Sequence, residues 1–93
     1  MVESFRSKDT QALFEGKRVK RFANIEAIAQ RKLQQLDSAS TLAFLRSPPG
    51  NRLEALAGDR AGQHSIRIND QFRVCFVWKD SNASDVEIVD YHR

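Results

Sequence analysis

The apolar positions of the chain repeat at helical spacing in its first half and at every second position in much of its second half. In residues 24–37 they recur every three or four positions, which predicts an amphipathic helix. Asn24 is suited to cap that helix, and Glu26 falls in its first turn, where the helix dipole favours an acid. Residues 9–15 predict a shorter helix, and residues 40–45 a further helical piece.

Strands are predicted on both sides of these helices. Residues 2–5 can form a short strand. Alternation at period two predicts strands at 64–68, 72–78 and 86–91, with a polar loop at 80–84. The order is therefore β-α-α-β-β-β. We predict an α+β fold in which a small, antiparallel-rich sheet packs one face against the two N-terminal helices.

The turn between strands 64–68 and 72–78 decides which side chains share a face. A two-residue loop would place apolar residues of one strand beside polar residues of the next. A three-residue loop over 69–71 aligns the apolar faces instead, so burial favours it. This register places Arg67 directly opposite Arg73 on the other face of the sheet.

The following loop extends the same face. If residues 80–84 form the loop, Lys79 pairs with Asp85 and, further along, Arg73 pairs with Tyr91. Arg67, Arg73 and Tyr91 would then line one polar face, shaped for an anion. The alternative is that both arginines point into water with their long side chains splayed apart.

Size and composition limit the classes of function. With 93 residues, 41% of them hydrophobic, the chain is expected to form one domain spanning 1–93. Cys75 is the single cysteine, and its apolar neighbours indicate packing rather than a nucleophilic role. His64, Cys75 and His92 match no zinc spacing, and no Gly-rich loop precedes a helix, so we expect neither metal nor cofactor. No run is apolar enough for a signal peptide or a membrane span, so we expect a cytoplasmic protein without membrane contact.

The formal net charge is +3, and the positive excess lies in the N-terminal half. Six basic residues form two short blocks there: Lys17, Arg18, Lys20, Arg21, Arg31 and Lys32. Such blocks suit a phosphate backbone or an acidic partner, so they are weaker candidates for contact with a nucleic acid or a partner protein. The alternative is a solvated loop and helix face.

The last predicted strand leads into Asp90-Tyr91-His92, the densest group of proton-carrying side chains. RNA is cleaved without metal when a base takes the 2′-hydroxyl proton, an acid protonates the leaving 5′-oxygen, and cations stabilise the charge on phosphorus. His92 is suited to proton transfer, because an ordinary imidazole has a pKa of about 6.5. Asp90 can act as a base or orient the histidine, and Tyr91 can bind phosphate or stack on a base. Arg67 and Arg73 can clamp the phosphate.

Three longer stretches carry a resemblance to a known family. They are 51–56 (NRLEAL), 58–71 (GDRAGQHSIRINDQ) and 86–92 (VEIVDYH). Together they resemble the HigB (plasmid maintenance system killer) toxins of the RelE/ParE superfamily, and the likeness covers nearly the whole chain. The family has a RelE-like fold, which agrees with the β-α-α-β-β-β order.

The resemblance implies a bacterial type II toxin that enters the ribosomal A site and cuts the mRNA there. It implies a HigA-type antitoxin with a helix-turn-helix domain as the neutralising partner. The pair would repress its own operon, so the toxin would meet operator DNA only through the antitoxin.

The resemblance also indicates the site residues. The catalytic candidates are Asp90, Tyr91, His92 and Glu54, and the candidates for RNA-phosphate binding are Arg73, Arg67 and Arg60. Some members carry His where this chain has Glu54, which can accept a proton but cannot supply an imidazolium charge. Lys is common in the family where this chain has Ala57, so one phosphate contact is missing. We therefore expect a mild toxin.

Two other functions would fit a member of the superfamily or a basic domain. One is an interaction toxin like the ParE branch, which poisons DNA gyrase without being a nuclease. The other is a small RNA-binding module that uses the basic surface of residues 17–32 and leaves the RNA intact. The Asp-Tyr-His ending together with Arg73 favours the nuclease, because gyrase inhibition does not need these residues.

Overall fold

The structure is a computed structural model that describes residues 1–91. Two helices, α1 (Lys8–Phe14) and α2 (Glu26–Ser38), precede four strands. The strands are β1 (Glu54–Ala55), β2 (Gln63–Arg67), β3 (Phe72–Lys79) and β4 (Asn82–Asp90). They form one antiparallel sheet in the order β1-β2-β3-β4. The expected α+β class, with two N-terminal helices against an antiparallel sheet, is confirmed.

One face of the sheet packs on the helices. The helices contribute Leu13, Ala29, Leu33 and Leu36 to the core, and the strands contribute Ile66, Val74, Phe76, Val86 and Ile88. Successive strand residues point to opposite faces, so Ser65, Arg73 and Cys75 lie on the second face. This second face, called the outer face below, carries the polar residues of the candidate site.

Helix α2 differs from the sequence prediction at its start. Helix α2 begins at Glu26, its N-cap is Ile25, and no side chain caps it, so the expected Asn24 cap is wrong. Residues 20–25 form a 3₁₀ helix instead, because this tighter turn buries both Phe22 and Ile25 while Asn24 stays exposed. No helix within residues 1–91 is long and apolar enough to cross a membrane.

The three remaining N-terminal predictions are met to different degrees. Helix α1 matches the prediction for 9–15, and Ser7 caps it by accepting from the Thr10 backbone N–H at 3.2 Å. The piece predicted at 40–45 is a 3₁₀ helix over Leu42–Arg46. The predicted strand 2–5 contributes only two isolated parallel bridges, Val2 to Ala83 and Phe5 to Val86, beside β4.

Strand β1 was not predicted from the sequence. Its two residues, Glu54 and Ala55, are both exposed, so no apolar alternation marks them as a strand. They pair with Ser65 and His64 of β2 and form the edge of the sheet. This pairing brings Glu54 onto the outer face beside Ser65.

The register between β2 and β3 is confirmed. Arg67 pairs with Arg73 and Ile66 with Val74. The Ile68 N–H donates to the Phe72 carbonyl at 3.0 Å and closes the three-residue loop. Burial selects this register, because it places Ile66 and Val74 together in the core.

The predicted register between β3 and β4 is wrong. The turn is only Asp80-Ser81, both with positive φ, so the strands continue to Lys79 and Asn82. A β-bulge then adds one residue to β4, with Asp85 at φ 51° and exposed. Arg73 pairs with Val89 and not with Tyr91. The shift is two positions, so Tyr91 still belongs to the outer face.

Candidate functional site

The outer face holds a cavity of about 820 Å³ where the β2–β3 loop meets the end of β4. Its lining is polar and charged: Arg52, Glu54, Arg67, Asn69, Asp70, Gln71, Arg73, Asp90 and Tyr91. Five of the candidate residues named from the sequence are brought together here: Glu54, Arg67, Arg73, Asp90 and Tyr91. Arg60 and the basic blocks lie outside this lining.

Arg73 forms the floor of the cavity. The residue is only 8% exposed, yet it carries a full positive charge. Its Nε donates to Ser65 Oγ at 2.8 Å, and its Nη2 donates to the Arg52 carbonyl at 2.7 Å. These bonds satisfy two edges of the planar guanidinium and hold it in one orientation. The Arg73 guanidinium is therefore a fixed charge at the cavity, already hydrogen-bonded within the protein.

Glu54 lies at the side of this guanidinium. Its Oε1 is 3.6 Å from Arg73 Nη2, and its side chain is 44% exposed, so the carboxylate is open to the cavity. Glu54 thus combines access to a ligand with a neighbouring cation, and its carboxylate can reach a proton of a molecule in the cavity.

The carbonyl that holds Arg73 comes from an unusual segment. Arg52 has φ 44° and ψ 55°, the left-handed region that a non-glycine residue rarely adopts. The preceding Asn51 is fully buried and donates from its amide to the carbonyls of Leu45 at 3.0 Å and Ser47 at 3.3 Å. The Lys32 ammonium donates to the Asn51 side-chain oxygen. Asn51 therefore fastens the segment whose carbonyl positions Arg73.

Arg67 lines the cavity beside Arg73, its direct partner in the β2–β3 pair. Its Nη2 forms an ion pair with the Asp70 carboxylate, whose side chain is fully exposed. Asn69 shapes the same loop, because its side-chain oxygen accepts from the backbone N–H groups of Gln71 at 2.9 Å and Phe72 at 2.7 Å. An exposed ion pair is weak, so an anionic ligand can displace Asp70 from Arg67 at little cost.

Asp90 and Tyr91 close the cavity at the end of β4. The Tyr91 ring lies 5.7 Å from the guanidinium carbon of Arg73, and the Tyr91 N–H donates to the Gln71 carbonyl at 2.6 Å. Asp90 accepts from the Gln71 side-chain amide at 3.0 Å. His92, the third member of the predicted group, lies outside the residues that the structure describes.

Arg60 lies on the outer face but outside the lining of the cavity. Its Nη1 donates to Gln63 at 3.1 Å and lies 3.4 Å from the Glu87 carboxylate. Cys75 is fully buried on this face, and burial raises the pKa of its thiol, with Arg60 opposing that effect. The thiol is therefore held protonated at neutral pH, in line with a packing role.

Three residues of the basic blocks form ion pairs or hydrogen bonds within residues 1–91 of the protein. Lys17 pairs with Glu15 at 3.2 Å, and Arg21 pairs with Asp9 at 3.3 Å. Lys32 bonds Asn51, and burial lowers the pKa of its ammonium, with Arg31 adding to the effect. Arg18, Lys20 and Arg31 are exposed.

Sequence reasoning missed Arg52, Asn51, Asn69, Asp70 and Gln71 as members or supports of the site. Only the Asn69-Asp70 turn had a signal, as residues that favour turns. His64 lies on the core side, where its ring stacks on Phe76 at 6.2 Å. Within residues 1–91, no group of three or more His, Cys, Asp or Glu is arranged to hold a metal ion.

Comparisons with known proteins agree on one family. The family model of the RelE-like toxin of type II toxin–antitoxin system HigB matches residues 3–92. Toxin HigB-1 of Vibrio cholerae is 40% identical over 85 residues, covering 89% of this chain and 90% of the relative. An uncharacterized protein of Haemophilus influenzae is 30% identical over 64 residues, covering 69% of this chain and 63% of that protein.

A solved structure matches the fold. It is the heterotetrameric complex of the YoeB-YefM toxin–antitoxin from Staphylococcus aureus, matched with a TM-score of 0.55 at 20% identity. The match covers 100% of this chain and 99% of that one. At this identity the match shows only that the two proteins share the arrangement of helices and sheet.

Proposed function

The chain belongs to the family of RelE-like toxins of HigB type II toxin–antitoxin systems, and from this premise we propose that it is an endoribonuclease that cuts mRNA on the ribosome. Cleavage in the ribosomal A site would arrest translation and growth. The cytoplasm, where ribosomes translate, would be its place of action.

One observation carries the proposal. A buried, immobilised arginine, Arg73, lies beneath a cavity that also presents an accessible carboxylate, Glu54, and a phenol, Tyr91. A fixed cation stabilises negative charge that develops on a phosphate, because it needs no reorganisation during the reaction. Arg67, the direct partner of Arg73 in the β2–β3 pair, adds a second cation to the cavity.

The proposed chemistry needs only side chains. The ribose 2′-oxygen attacks the neighbouring phosphorus while Glu54 takes the 2′-hydroxyl proton. The bond from phosphorus to the 5′-oxygen breaks, and an acid at the end of β4 protonates that oxygen. His92 and Tyr91 are the candidates for this acid. The products are a 2′,3′-cyclic phosphate and a 5′-hydroxyl end, so atoms and charges balance.

As a type II toxin the protein has an antitoxin partner. We propose that this partner is of the HigA type, with a helix-turn-helix domain that binds the operator. The toxin would then reach operator DNA only through it. The ribosome and its mRNA would be the second set of partners.

A reconstituted translation reaction tests the proposal. The purified toxin is added to ribosomes programmed with a defined message, and the 5′ ends of the fragments are mapped by primer extension. We expect cuts within the A-site codon, no cuts in the same message without ribosomes, and loss of cleavage in His92→Ala. Intact messages in a reaction whose translation is arrested would contradict the proposal.

A DNA supercoiling assay with gyrase, run beside the translation reaction, separates the nuclease from a gyrase poison. We expect unchanged supercoiling at toxin concentrations that stop translation. Inhibited gyrase with uncut messages would assign the protein to the ParE-like interaction toxins. Binding to RNA that remains intact on ribosomes would instead indicate a simple RNA-binding module.

A further inference from the structure

A second, smaller cleft of about 190 Å³ adjoins the candidate site. Arg21, Phe22, Phe72 and Asp90 line it. Asp90 also lines the large cavity, so the two spaces meet at the end of β4. Phe72 pairs with Asp90 across the β3–β4 ladder, and this pairing fixes the wall between the cleft and the large cavity.

The cation of this cleft is held in place. The Arg21 guanidinium carbon lies 4.5 Å from the centre of the Phe22 ring, and Nε lies 3.3 Å from the Asp9 carboxylate. Phe22 is itself buried against Phe72, with ring centres 5.8 Å apart and planes nearly perpendicular. Because the guanidinium packs on a ring that is itself buried, Arg21 loses less conformational entropy on binding a ligand than a free surface arginine would.

The remaining surface of Arg21 is available for a ligand. Its side chain is 59% exposed. The ion pair with Asp9 is made through Nε, and the contact with Phe22 through one face of the guanidinium. A planar fork of this kind binds phosphate oxygens, and its outer face can carry a stacked base.

The geometry of β4 connects this cation to the reaction site. Consecutive residues of a strand point to opposite faces, so Tyr91 belongs to the outer face and Asp90 to the helix side. Because Asp90 lines both spaces, a strand of RNA held in the large cavity against Arg67 and Arg73 has a path past Asp90 toward Arg21. Arg21 would also offset the repulsion between that phosphate and Asp90.

We propose that Arg21 and the Phe22–Phe72 cleft form a subsite for the nucleotide next to the scissile phosphate, with the flanking phosphate bound by Arg21. The inference rests on the proposed RNA-cleaving function and deepens it. It assigns one of the six basic residues of the N-terminal blocks to the RNA path. The other five have no part in this cleft.

Binding of short synthetic RNAs to the isolated toxin tests the subsite. The RNAs carry a 2′-O-methyl group at every ribose, so they cannot be cut, and they range from two to six nucleotides. Fluorescence anisotropy gives the Kd at several salt concentrations. The variant is Arg21→Gln, and the matched control is Lys79→Gln, which removes the same charge at the opposite end of β3.

For the wild type we expect a gain in affinity when one more nucleotide is added to a strand that already fills the large cavity. Arg21→Gln loses this gain by several fold, and its slope of log Kd against log salt falls by about 0.7. The control binds every length like the wild type. Equal binding of all lengths by Arg21→Gln and Lys79→Gln would overturn the subsite, as would the absence of RNA binding by the wild type.

A second variant guards against local unfolding in Arg21→Gln. Asp9→Asn keeps Arg21 and removes a negative charge that repels an incoming phosphate, so it should bind the longer RNAs more tightly than the wild type. Unchanged or weaker binding would count against the subsite. The ribosome assay reports separately on cleavage, so a toxin that binds RNA through Arg21 but leaves messages intact would refute the proposed function and not the subsite.

Discussion

Arg67 and Arg73 face each other directly across the β2–β3 pair, an arrangement that costs free energy when two like charges meet on one face. The structure offsets this cost by giving each guanidinium its own carboxylate. Asp70 pairs with Arg67, and Glu54 lies 3.6 Å from Arg73. The two pairs differ in burial, because Arg73 is held beneath the cavity while Asp70 is fully exposed. Under the proposed function, the exposed Arg67–Asp70 ion pair is the one that an RNA phosphate would break.

Arg73→Lys tests whether the planar fork matters beyond its charge. A lysine keeps the cation but cannot bond Ser65 and the Arg52 carbonyl together, so we expect a loss of about 1–3 kcal/mol in the free energy of unfolding and a strong loss of mRNA cleavage. Urea denaturation and the ribosome assay measure the two effects. The control Arg67→Lys should change stability by less than about 0.5 kcal/mol, because its ion pair is exposed. Equal stabilities of the two variants would contradict this role.

Glu54→Gln tests the proposed general base. Glutamine keeps the shape of the side chain and cannot accept the 2′-hydroxyl proton, so the single-turnover rate of cleavage should fall by about 10²-fold or more. The control is Glu87→Gln, which lies on the same sheet face but pairs with Arg60 outside the cavity. A rate in Glu54→Gln that matches the control would remove Glu54 from the catalytic group.

Tyr91→Phe separates the hydroxyl from the ring. Phenylalanine keeps an aromatic ring over Arg73, so its midpoint of thermal unfolding should fall less than that of Tyr91→Ala. Cleavage should fall by about tenfold or more, the value of one hydrogen bond to the reacting phosphate. Tyr91→Ala should lose stability as well as activity. Full cleavage by Tyr91→Phe would show that the hydroxyl has no role.

Asn51→Ala tests the support beneath Arg52. The change removes the acceptor of Lys32 and leaves the buried Leu45 carbonyl without its donor, so we expect a loss of about 2–3 kcal/mol in the free energy of unfolding. Gln34→Ala on the exposed side of α2 is the control and should change stability by less than about 0.5 kcal/mol. A loss in Asn51→Ala as small as in the control would mean that the segment is fastened by other contacts.

Cys75 predicts a pH dependence of stability. Burial raises the pKa of its thiol in the folded state, so the unfolded chain loses the proton first as the pH rises past the ordinary thiol value. The free energy of unfolding should therefore fall with rising pH from there until the folded thiol also ionises. Cys75→Ala has no thiol, so its free energy of unfolding should lack this pH-dependent contribution. Urea denaturation of both proteins between pH 7 and 10.5 measures the difference, and a constant difference would contradict the prediction.

Much of the site was determined by the sequence alone. The alternation of residues 64–68 and 72–78 with a short polar turn leaves one register that buries Ile66 with Val74, and this register makes Arg67 and Arg73 neighbours. The placement of Tyr91 on the same face followed for the wrong reason. The predicted loop over 80–84 does not exist, but the two-residue turn and the bulge together shift the pairing by an even number of residues.

The placement of Glu54, the conformation of Arg52 and the burial of Arg73 were decided by tertiary structure, because no local sequence pattern predicts them. Strand β1 has no apolar alternation, so only its pairing with β2 places Glu54 beside Arg73. The left-handed conformation of Arg52 depends on Asn51 and its partners on α2, which are distant in sequence. The sequence determined which residues share a face, because burial of apolar side chains enforces a period of two. The burial of Arg73 and its hydrogen bonds were decided by contacts between segments that are distant in sequence. Those contacts stabilise the side chain only once the chain is folded.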